Sequence, residues 1–262
     1  MAELLFWPAL LAYGEAAVAY LRDAQSPGLS GRLATWGVRI GWLVQTALLV
    51  FQATREDGFP WGTWAGSLNL FVWLVVGAYL IWGCSRSYRL LGLAVMPLAA
   101  VLLMAAWAGG GTGVGDRSPY STAFLVVHVG LVLAAFAGFT LAASLSALYL
   151  WQERRLKRRA STILRLPAPS LAALDRLSAR TIAVALPALT LGIVVGAVRL
   201  ATQGDRVDAL VVATLVTWGV YGAYLALRLF SGLRGRRAAY LALAGFALVV
   251  LVRLGLPVTH FG

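Results

Sequence analysis

An almost unbroken apolar run from Ala123 to Trp151 constrains this sequence more than any other feature. The run is longer than the roughly 20 residues that a helix needs to cross a bilayer. It ends at a basic cluster, Gln152 to Arg159, and its only acidic or basic residue is His128. Because a helix rises about 1.5 Å per residue, His128 should lie roughly 39 Å from Arg154. Basic clusters mark the cytoplasmic ends of membrane helices, so the pattern predicts that His128 lies near the outer surface.

The composition of the whole chain is that of an integral membrane protein. Hydrophobic residues make up 60% of the sequence and charged residues 12%. Soluble domains average about 45–50% hydrophobic residues and about 25% charged residues. The other apolar runs are also of helix length, unlike the ten-residue alternating segments of outer-membrane barrels. The sequence therefore predicts an all-α fold, a polytopic bundle of about eight transmembrane helices.

These apolar runs predict a single transmembrane domain over residues 1–262. A basic connector at residues 153–180 is predicted on the cytoplasmic side, and Ser170 to Leu177 within it have the pattern of a short amphipathic helix lying on the inner surface. The predicted spans cover residues 4–21, 35–54, 65–84, 90–107, 121–152, 181–200, 209–230 and 239–257.

The distribution of positive charge predicts the orientation of the chain. Eight spans leave both termini on one side of the membrane. Of the Lys and Arg residues, 17 fall on the opposite side and 5 fall on the same side as the termini. The positive-inside rule therefore predicts both termini outside, in the cytoplasmic membrane of a bacterium. The net charge of +12 sits mostly at helix ends, which argues against a nucleic-acid partner. Cys84 is the only cysteine, which excludes a dithiol redox carrier.

The two histidines of the sequence are the main candidates for chemistry. His128 and His260 are both predicted on the outer side, at the ends of two different helices. Two imidazoles suffice as axial ligands of a haem iron, whereas a structural zinc ion takes four protein ligands. Haem therefore fits the two histidines better than zinc does. The alternative is that each histidine is an interfacial residue hydrogen-bonded to water or headgroups.

Other outer-side residues are candidates for holding a haem. Arg253 lies seven residues before His260 on the same helix face, and Arg199 shares the outer side, so both are candidates for pairing with propionates. Headgroup contact is the alternative role for a cation at this level. Trp61 and Trp64 could form a wall of the pocket, or they could anchor the chain at the membrane interface.

Three polar residues are predicted inside the membrane. Glu15 on the first span and Arg39 on the second fall at similar depth, which suggests a structural ion pair between them. Gln45 is a further polar group near the middle of the second span. No chain of acids continues from Glu15, which disfavours a proton relay.

A set of short motifs follows a specific order between Thr35 and Gly262. They are Pro60 with Ser67-Leu68 and Trp73, Pro97-Leu98, His128-Val129, Tyr149 to Lys157, Pro169-Ser170-Leu171 with Leu174-Asp175, Leu189 to Ile193 with Gly196, Thr217-Trp218, Tyr221, Tyr224-Leu225, Arg228, Gly232 to Ala239, and His260-Phe261-Gly262. In this order and spacing they resemble the cytochrome c assembly membrane proteins of the CcsA/HemX type.

The resemblance implies a function. Members of that family use two external histidines as axial haem ligands, and the matching positions here are His128 and His260. It implies a non-covalent, b-type haem presented at the outer surface, with membrane lipid and a cytochrome c assembly subunit as partners. No nucleophile–base pair is visible in the sequence, so we expect haem presentation rather than covalent catalysis.

The sequence also departs from the family pattern. The tryptophan-rich loop expected before the seventh span is replaced by residues 200–208, which contain no Trp, and Arg199 stands where a Trp is usual. Gln45 stands where the family often has a buried histidine for an inner haem. These departures favour the HemX-like branch, which is associated with the control of haem synthesis.

Two other functions remain open. The first is a regulatory scaffold that binds a soluble haem-biosynthesis enzyme through the basic residues of 154–180. The second is a small-molecule transporter, which would be expected to have inverted repeats or broken helices near the middle of the membrane.

Overall fold

The computed structural model describes residues 2–25, 28–54, 63–83, 89–112, 121–158, 169–203 and 209–255, and the regular elements in these ranges are all α-helices. The all-α prediction is confirmed for this part of the chain. The helices are α1 (Ala2–Gln25), α2 (Leu29–Ala53), α3 (Trp64–Gly83), α4 (Arg89–Ala108), α5 (Thr122–Lys157), α6 (Leu171–Gln203), α7 (Ala209–Phe230) and α8 (Arg236–Gly255).

The lengths of these helices suit a bilayer. Among the described residues, seven helices, α1 to α7, are long and apolar enough to cross a membrane. The eighth predicted span corresponds to α8. The chain is therefore a polytopic membrane helical bundle, as its composition predicts.

Helix α2 begins six residues earlier than its predicted span because a side chain caps it. The carboxylate of Asp23 accepts hydrogen bonds from the backbone N–H groups of Gly28, at 3.0 Å, and Gly31, at 3.1 Å. These are amide groups at the start of the helix that have no partner within it. These bonds satisfy amide groups at the start of α2, which begins at Leu29.

The prediction of a separate amphipathic helix at Ser170–Leu177 is wrong, because this segment opens the continuous helix α6. Leu174 and Leu177 are buried. The hydroxyl of Ser178 lies 3.1 Å from that of Ser146 on α5 and 3.2 Å from the carbonyl oxygen of Ala142. Packing against α5 therefore extends α6 well before the predicted start of its span.

The helices group into two compact units, α1 to α4 and α5 to α8. In the first unit, α1 packs on α2 and α4, and α3 packs on α2 and α4. In the second unit, α5 packs on α6 and α8, while α7 packs on α6 and α8.

Buried polar side chains of the first unit form a continuous network. The hydroxyl of Tyr13 donates to Gln45 Oε1 at 2.7 Å, and Gln45 Nε2 donates to Asn69 Oδ1 at 2.9 Å. Asn69 Nδ2 donates to Gln52 Oε1 at 3.4 Å, and Gln52 Nε2 donates to the carbonyl oxygen of Gly111 at 2.9 Å. Because a polar group without a partner in a membrane core is costly, these bonds let Gln45 and its neighbours be buried.

The predicted ion pair between Glu15 and Arg39 is not formed. Glu15 lies on an exposed face of α1. The guanidinium of Arg39 lies 5.1 Å from the ring centroid of Trp36, on its own helix. The two helices instead approach closely at Gly41, where a Cβ would lie 2.8 Å from Cε1 of Tyr13 and 3.0 Å from the Cβ of Ala12.

Helix α8 runs antiparallel to α5 in the second unit. A Cβ placed on Gly235, at the start of α8, would lie 3.1 Å from the hydroxyl of Tyr149 near the end of α5. Further along, the ring of Tyr221 stacks on Phe139 of α5 with 3.8 Å between centroids, and it also lies against Gly245 of α8. The later part of α8 therefore runs back towards the His128 end of α5.

Candidate functional site

The imidazole of His128 is held by the backbone of α6. Its Nδ1 lies 2.9 Å from the carbonyl oxygen of Gly192. A carbonyl oxygen can only accept a hydrogen bond, so Nδ1 carries the proton in the neutral ring. Nε2 then has the lone pair, which is the form in which a histidine binds a metal.

A glycine of α6 makes room for this ring. A Cβ placed on Gly196 would lie 2.8 Å from Cε1 and 3.3 Å from Nδ1 of His128. Real Cβ atoms essentially never come this close to another atom, so a larger residue would displace the imidazole or the helix. The missing side chain of Gly196 thus forms a notch that receives the ring of His128. Gly192, one turn earlier, supplies the carbonyl, and a Cβ placed on it would face Val132 at 2.8 Å.

Phe124 supports the other side of the ring. It lies one turn before His128 on α5, and the two rings stack with centroids 5.4 Å apart and an angle of 5° between their planes. The hydroxyl of Ser121 accepts a hydrogen bond from the N–H of Phe124 at 3.4 Å, which caps the start of α5. The site is therefore formed in the first turns of α5.

Arg199 brings a positive charge to the same place. Its guanidinium carbon lies 4.7 Å from the centroid of the Phe124 ring, a cation–π contact. Arg199 follows Gly196 by less than one turn of α6. The structure therefore brings together His128 and Arg199, two of the residues predicted from sequence, with Phe124 between them.

Sequence reasoning missed Phe124, Gly192 and Gly196 as parts of this site. Two signals could have found them. An aromatic residue stands four positions before His128, where a helix places it on the same face. Gly192 and Gly196 have the small-xxx-small spacing that lets membrane helices approach closely.

The other predicted site residues are only partly described. His260 and Trp61 lie outside the described residues. Arg253 lies within α8, although the description covers only its backbone. Trp64 lies in the first unit, at the start of α3. Its ring packs against Gly109, since a Cβ placed on Gly109 would lie 2.9 Å from Cζ3 of the indole.

The donors of this site suit one kind of metal centre. The described residues contain no group of three or more His, Cys, Asp or Glu side chains that could hold a metal ion. A lone imidazole cannot complete the four ligands of a zinc site, but a porphyrin supplies the equatorial ligands of an iron. One neutral imidazole beside a guanidinium fits a haem iron with its anionic propionates.

The fold and this site define a polytopic membrane protein with an ordered imidazole and guanidinium at one end of its longest helix. Residues 61–260 match the family model described as Cytochrome C assembly protein. The chain therefore belongs to the cytochrome c assembly family, which confirms the resemblance found in its motifs and gives it a role in cytochrome c assembly.

Individual relatives agree with this assignment. The chain is 30% identical to Cytochrome c biogenesis protein CcsA of Prochlorococcus marinus (strain MIT 9303), over 90% of this chain and 85% of the relative. It is 26% identical to the CcsA protein of Synechococcus elongatus, over 90% and 88%. It is 31% identical to Protein HemX of Brevibacillus brevis, over 70% and 68%. No solved structure is a significant match.

Proposed function

We propose that this protein holds a non-covalent, b-type haem at the outer surface of the bacterial cytoplasmic membrane, for use in cytochrome c assembly. His128 is one axial ligand of the iron, and His260 is the other. The hydrogen bond from Nδ1 of His128 to the carbonyl of Gly192 carries this proposal. It selects the tautomer in which Nε2 can bind iron, and such a bond also raises the basicity of a ligating imidazole.

The surrounding residues orient the ligand and balance charge. Phe124 on one side and the glycine notch of α6 on the other limit rotation of the His128 ring. Arg199 is placed to pair with a propionate. The haem supplies the iron and the equatorial nitrogens, while the protein supplies axial bonds, orientation and a counter-charge.

The direction of α8 supports His260 as the second ligand. Gly235 lies beside Tyr149, and α8 rises about 29 Å from Arg236 to Gly255. The level of His128 is about 32 Å from Tyr149 along α5. The five residues from Gly255 to His260 can cover the remaining few ångströms, at up to about 3.3 Å each.

The direction of α8 also favours a role for Arg253 beside the haem. Arg253 lies near the end of α8 that approaches the level of His128. Trp61 and Trp64 belong to the first unit, and for them we propose the role of anchors at the membrane interface. The family match begins at Trp61 and ends at His260, so it includes both proposed iron ligands.

Absorption spectra of the purified protein test the proposal. We expect a six-coordinate, low-spin haem spectrum in the wild type, altered by His128→Ala and by His260→Ala. Val127→Ala is the matched control, because this neighbouring side chain on α5 is 49% exposed and should leave the spectrum unchanged. The same spectrum in wild type and both histidine variants would rule out the two-histidine site.

A regulatory scaffold is the second candidate function. It is favoured by the similarity to a protein named HemX and by the exposed cations at the end of α5. Such a protein would bind a soluble haem-biosynthesis enzyme through the basic residues of 154–180. A pull-down that depends on this segment, together with a wild-type preparation lacking a Soret band, would support the scaffold instead of the haem site.

A further inference from the structure

The second unit carries a concentration of positive charge at the end opposite His128. The last turns of α5 and the turn into α8 meet there, because α5 and α8 pack together. We call this surface the basic rim. Its members are exposed and are Arg154, Arg155, Arg234, Arg236 and Arg237.

Arg154 and Arg236 come from different helices and lie at the same end of the second unit, where Arg236 contacts Tyr240. Arg236 Nη2 lies 3.3 Å from the hydroxyl of Tyr240, and its guanidinium carbon lies 5.4 Å from the centroid of that ring. Arg154 follows Tyr149 by five residues on α5, and the hydroxyl of Tyr149 lies beside Gly235 at the start of α8. Like charges gathered at one end of a helical unit repel each other, and an anion bound among them would offset the repulsion.

The nearby carboxylates are already engaged by other cations. Glu153 accepts a hydrogen bond from Lys157 at 2.8 Å, within α5. Asp175 of α6 accepts from Arg228 at 2.7 and 3.2 Å, and from the backbone N–H of Gly235 at 2.9 Å. Within the described part of the chain, neither forms a salt bridge with a member of the basic rim.

Asp175 also fixes the shape of the turn that carries the rim. Its bonds to Arg228 and to Gly235 tie the end of α7 to the start of α8. Gly232 and Gly235 adopt φ values of 63° and 68°, a region that side-chain-bearing residues rarely enter. The arginines on either side of Gly235 are therefore held on a rigid turn before any ligand binds.

Large apolar side chains are exposed beside these cations. Trp151 is 39% exposed, with the guanidinium of Arg155 lying 5.0 Å from its ring centroid. At the end of α7, Leu229 and Phe230 are 78% and 89% exposed. Aromatic residues next to basic ones, at the end of an apolar helix, are typical of the headgroup level of a membrane. This mixture favours a lipid over a soluble acidic protein as the occupant of the basic rim.

We propose that the basic rim binds the phosphate of an anionic phospholipid, with Arg154 and Arg236 as its two cationic ligands. The hydroxyl of Tyr240 donates a hydrogen bond to the same phosphate, and Trp151 packs beside the glycerol and upper acyl chains. The site is independent of the haem site, which lies at the other end of α5.

Native mass spectrometry of the full-length protein, titrated with phosphatidylglycerol or phosphatidylcholine, tests this site. Each arginine near an anionic headgroup contributes about fivefold to affinity, so Arg154→Gln with Arg236→Gln should weaken phosphatidylglycerol binding about 25-fold. The matched control is Arg176→Gln with Arg180→Gln, an equal charge change at two exposed arginines of α6. It should change that affinity little, and the haem spectrum should stay the same in both double variants.

Several outcomes would overturn the proposal. Equal binding of phosphatidylcholine would remove the need for an anionic lipid. An equal loss of phosphatidylglycerol affinity in the two double variants would indicate diffuse attraction rather than a site. Displacement of the lipid by inorganic phosphate at similar concentration would assign the surface to a soluble phosphate ligand. If an acidic protein competed with the lipid and bound the rim more tightly, the occupant would be that protein.

Discussion

The ring of His128 on α5 and the carbonyl of Gly192 on α6 are joined by a hydrogen bond of 2.9 Å. This bond fixes the proton on Nδ1 of the imidazole. It joins α5 to α6 and leaves the lone pair on Nε2, the nitrogen proposed above to bind iron.

Replacing Gly196 tests whether the notch positions the ligand. Gly196→Ala would place a methyl group 2.8 Å from Cε1 of His128, so we expect the ring to move and the low-spin haem spectrum to weaken. Overpacking of this kind typically costs about 1–3 kcal/mol, so the helical circular dichroism should persist.

Gly219→Ala is the matched control for this change. A Cβ at Gly219, on α7 of the same unit, meets no atom within 4 Å. Its haem spectrum should equal that of the wild type. If Gly196→Ala also bound haem with an unaltered spectrum, the notch would have no part in positioning the ligand.

Arg199 should affect haem affinity without changing the axial ligands. Arg199→Gln removes the proposed charged partner of a propionate, and we expect this change to weaken haem binding about tenfold. Arg199→Lys should restore part of the affinity because it keeps the charge. Haem titration followed by absorbance measures the haem affinity of both variants. The Soret position of each variant should match that of the wild type. A shifted Soret band in Arg199→Gln would mean that this residue acts on the iron ligands instead.

Sequence alone predicts much of the helical architecture and part of the site. Helix lengths follow from hydropathy, and His128 and Arg199 could both be assigned to the outer side from the order of charged loops. Hydropathy does not give the rotation of one helix against the next. For that reason the sequence predicts a Glu15–Arg39 pair that the structure does not form, whereas the buried Tyr13–Gln45 bond was not foreseen.

The start of α6 also shows that sequence patterns do not reveal which face of a helix is buried. Arg176 and Arg180 gave residues 170–180 the polar character of a surface segment. In the structure these arginines are exposed on one face, while Leu174 and Leu177 pack on the other, so the helix is continuous. Which face is buried depends on the position of α5, and no local pattern contains that information.

The Asp175–Arg228 pair should stabilise the second unit. Its side chains are only 13% and 17% exposed, and a hydrogen bond to a charged group typically contributes about 1.5–3 kcal/mol. We expect Asp175→Asn to lower the thermal midpoint measured by circular dichroism in detergent. Asp175→Asn combined with Arg228→Gln should cost less than the sum of the two single changes, since no charge is then left buried alone.

An exposed pair provides the comparison for that experiment. Lys157 is 64% exposed and bonds to Glu153 one turn away, so Lys157→Gln should cost at most about 0.5 kcal/mol. A similar loss of stability in Asp175→Asn and Lys157→Gln would show that the buried pair is not a structural lock.

Gln45 distinguishes a structural polar network from an inner haem site. Its amide is engaged by Tyr13 on one side and by Asn69 on the other, and all three side chains are buried. Gln45→Leu would leave two buried polar groups without a partner, at about 1–3 kcal/mol each. We therefore expect a lower thermal midpoint with an unchanged haem spectrum and haem content. Leu43→Ala, at a neighbouring position that is 61% exposed, should alter neither property. A loss of haem in Gln45→Leu, with the midpoint of the wild type, would instead assign Gln45 to a second haem site in the first unit.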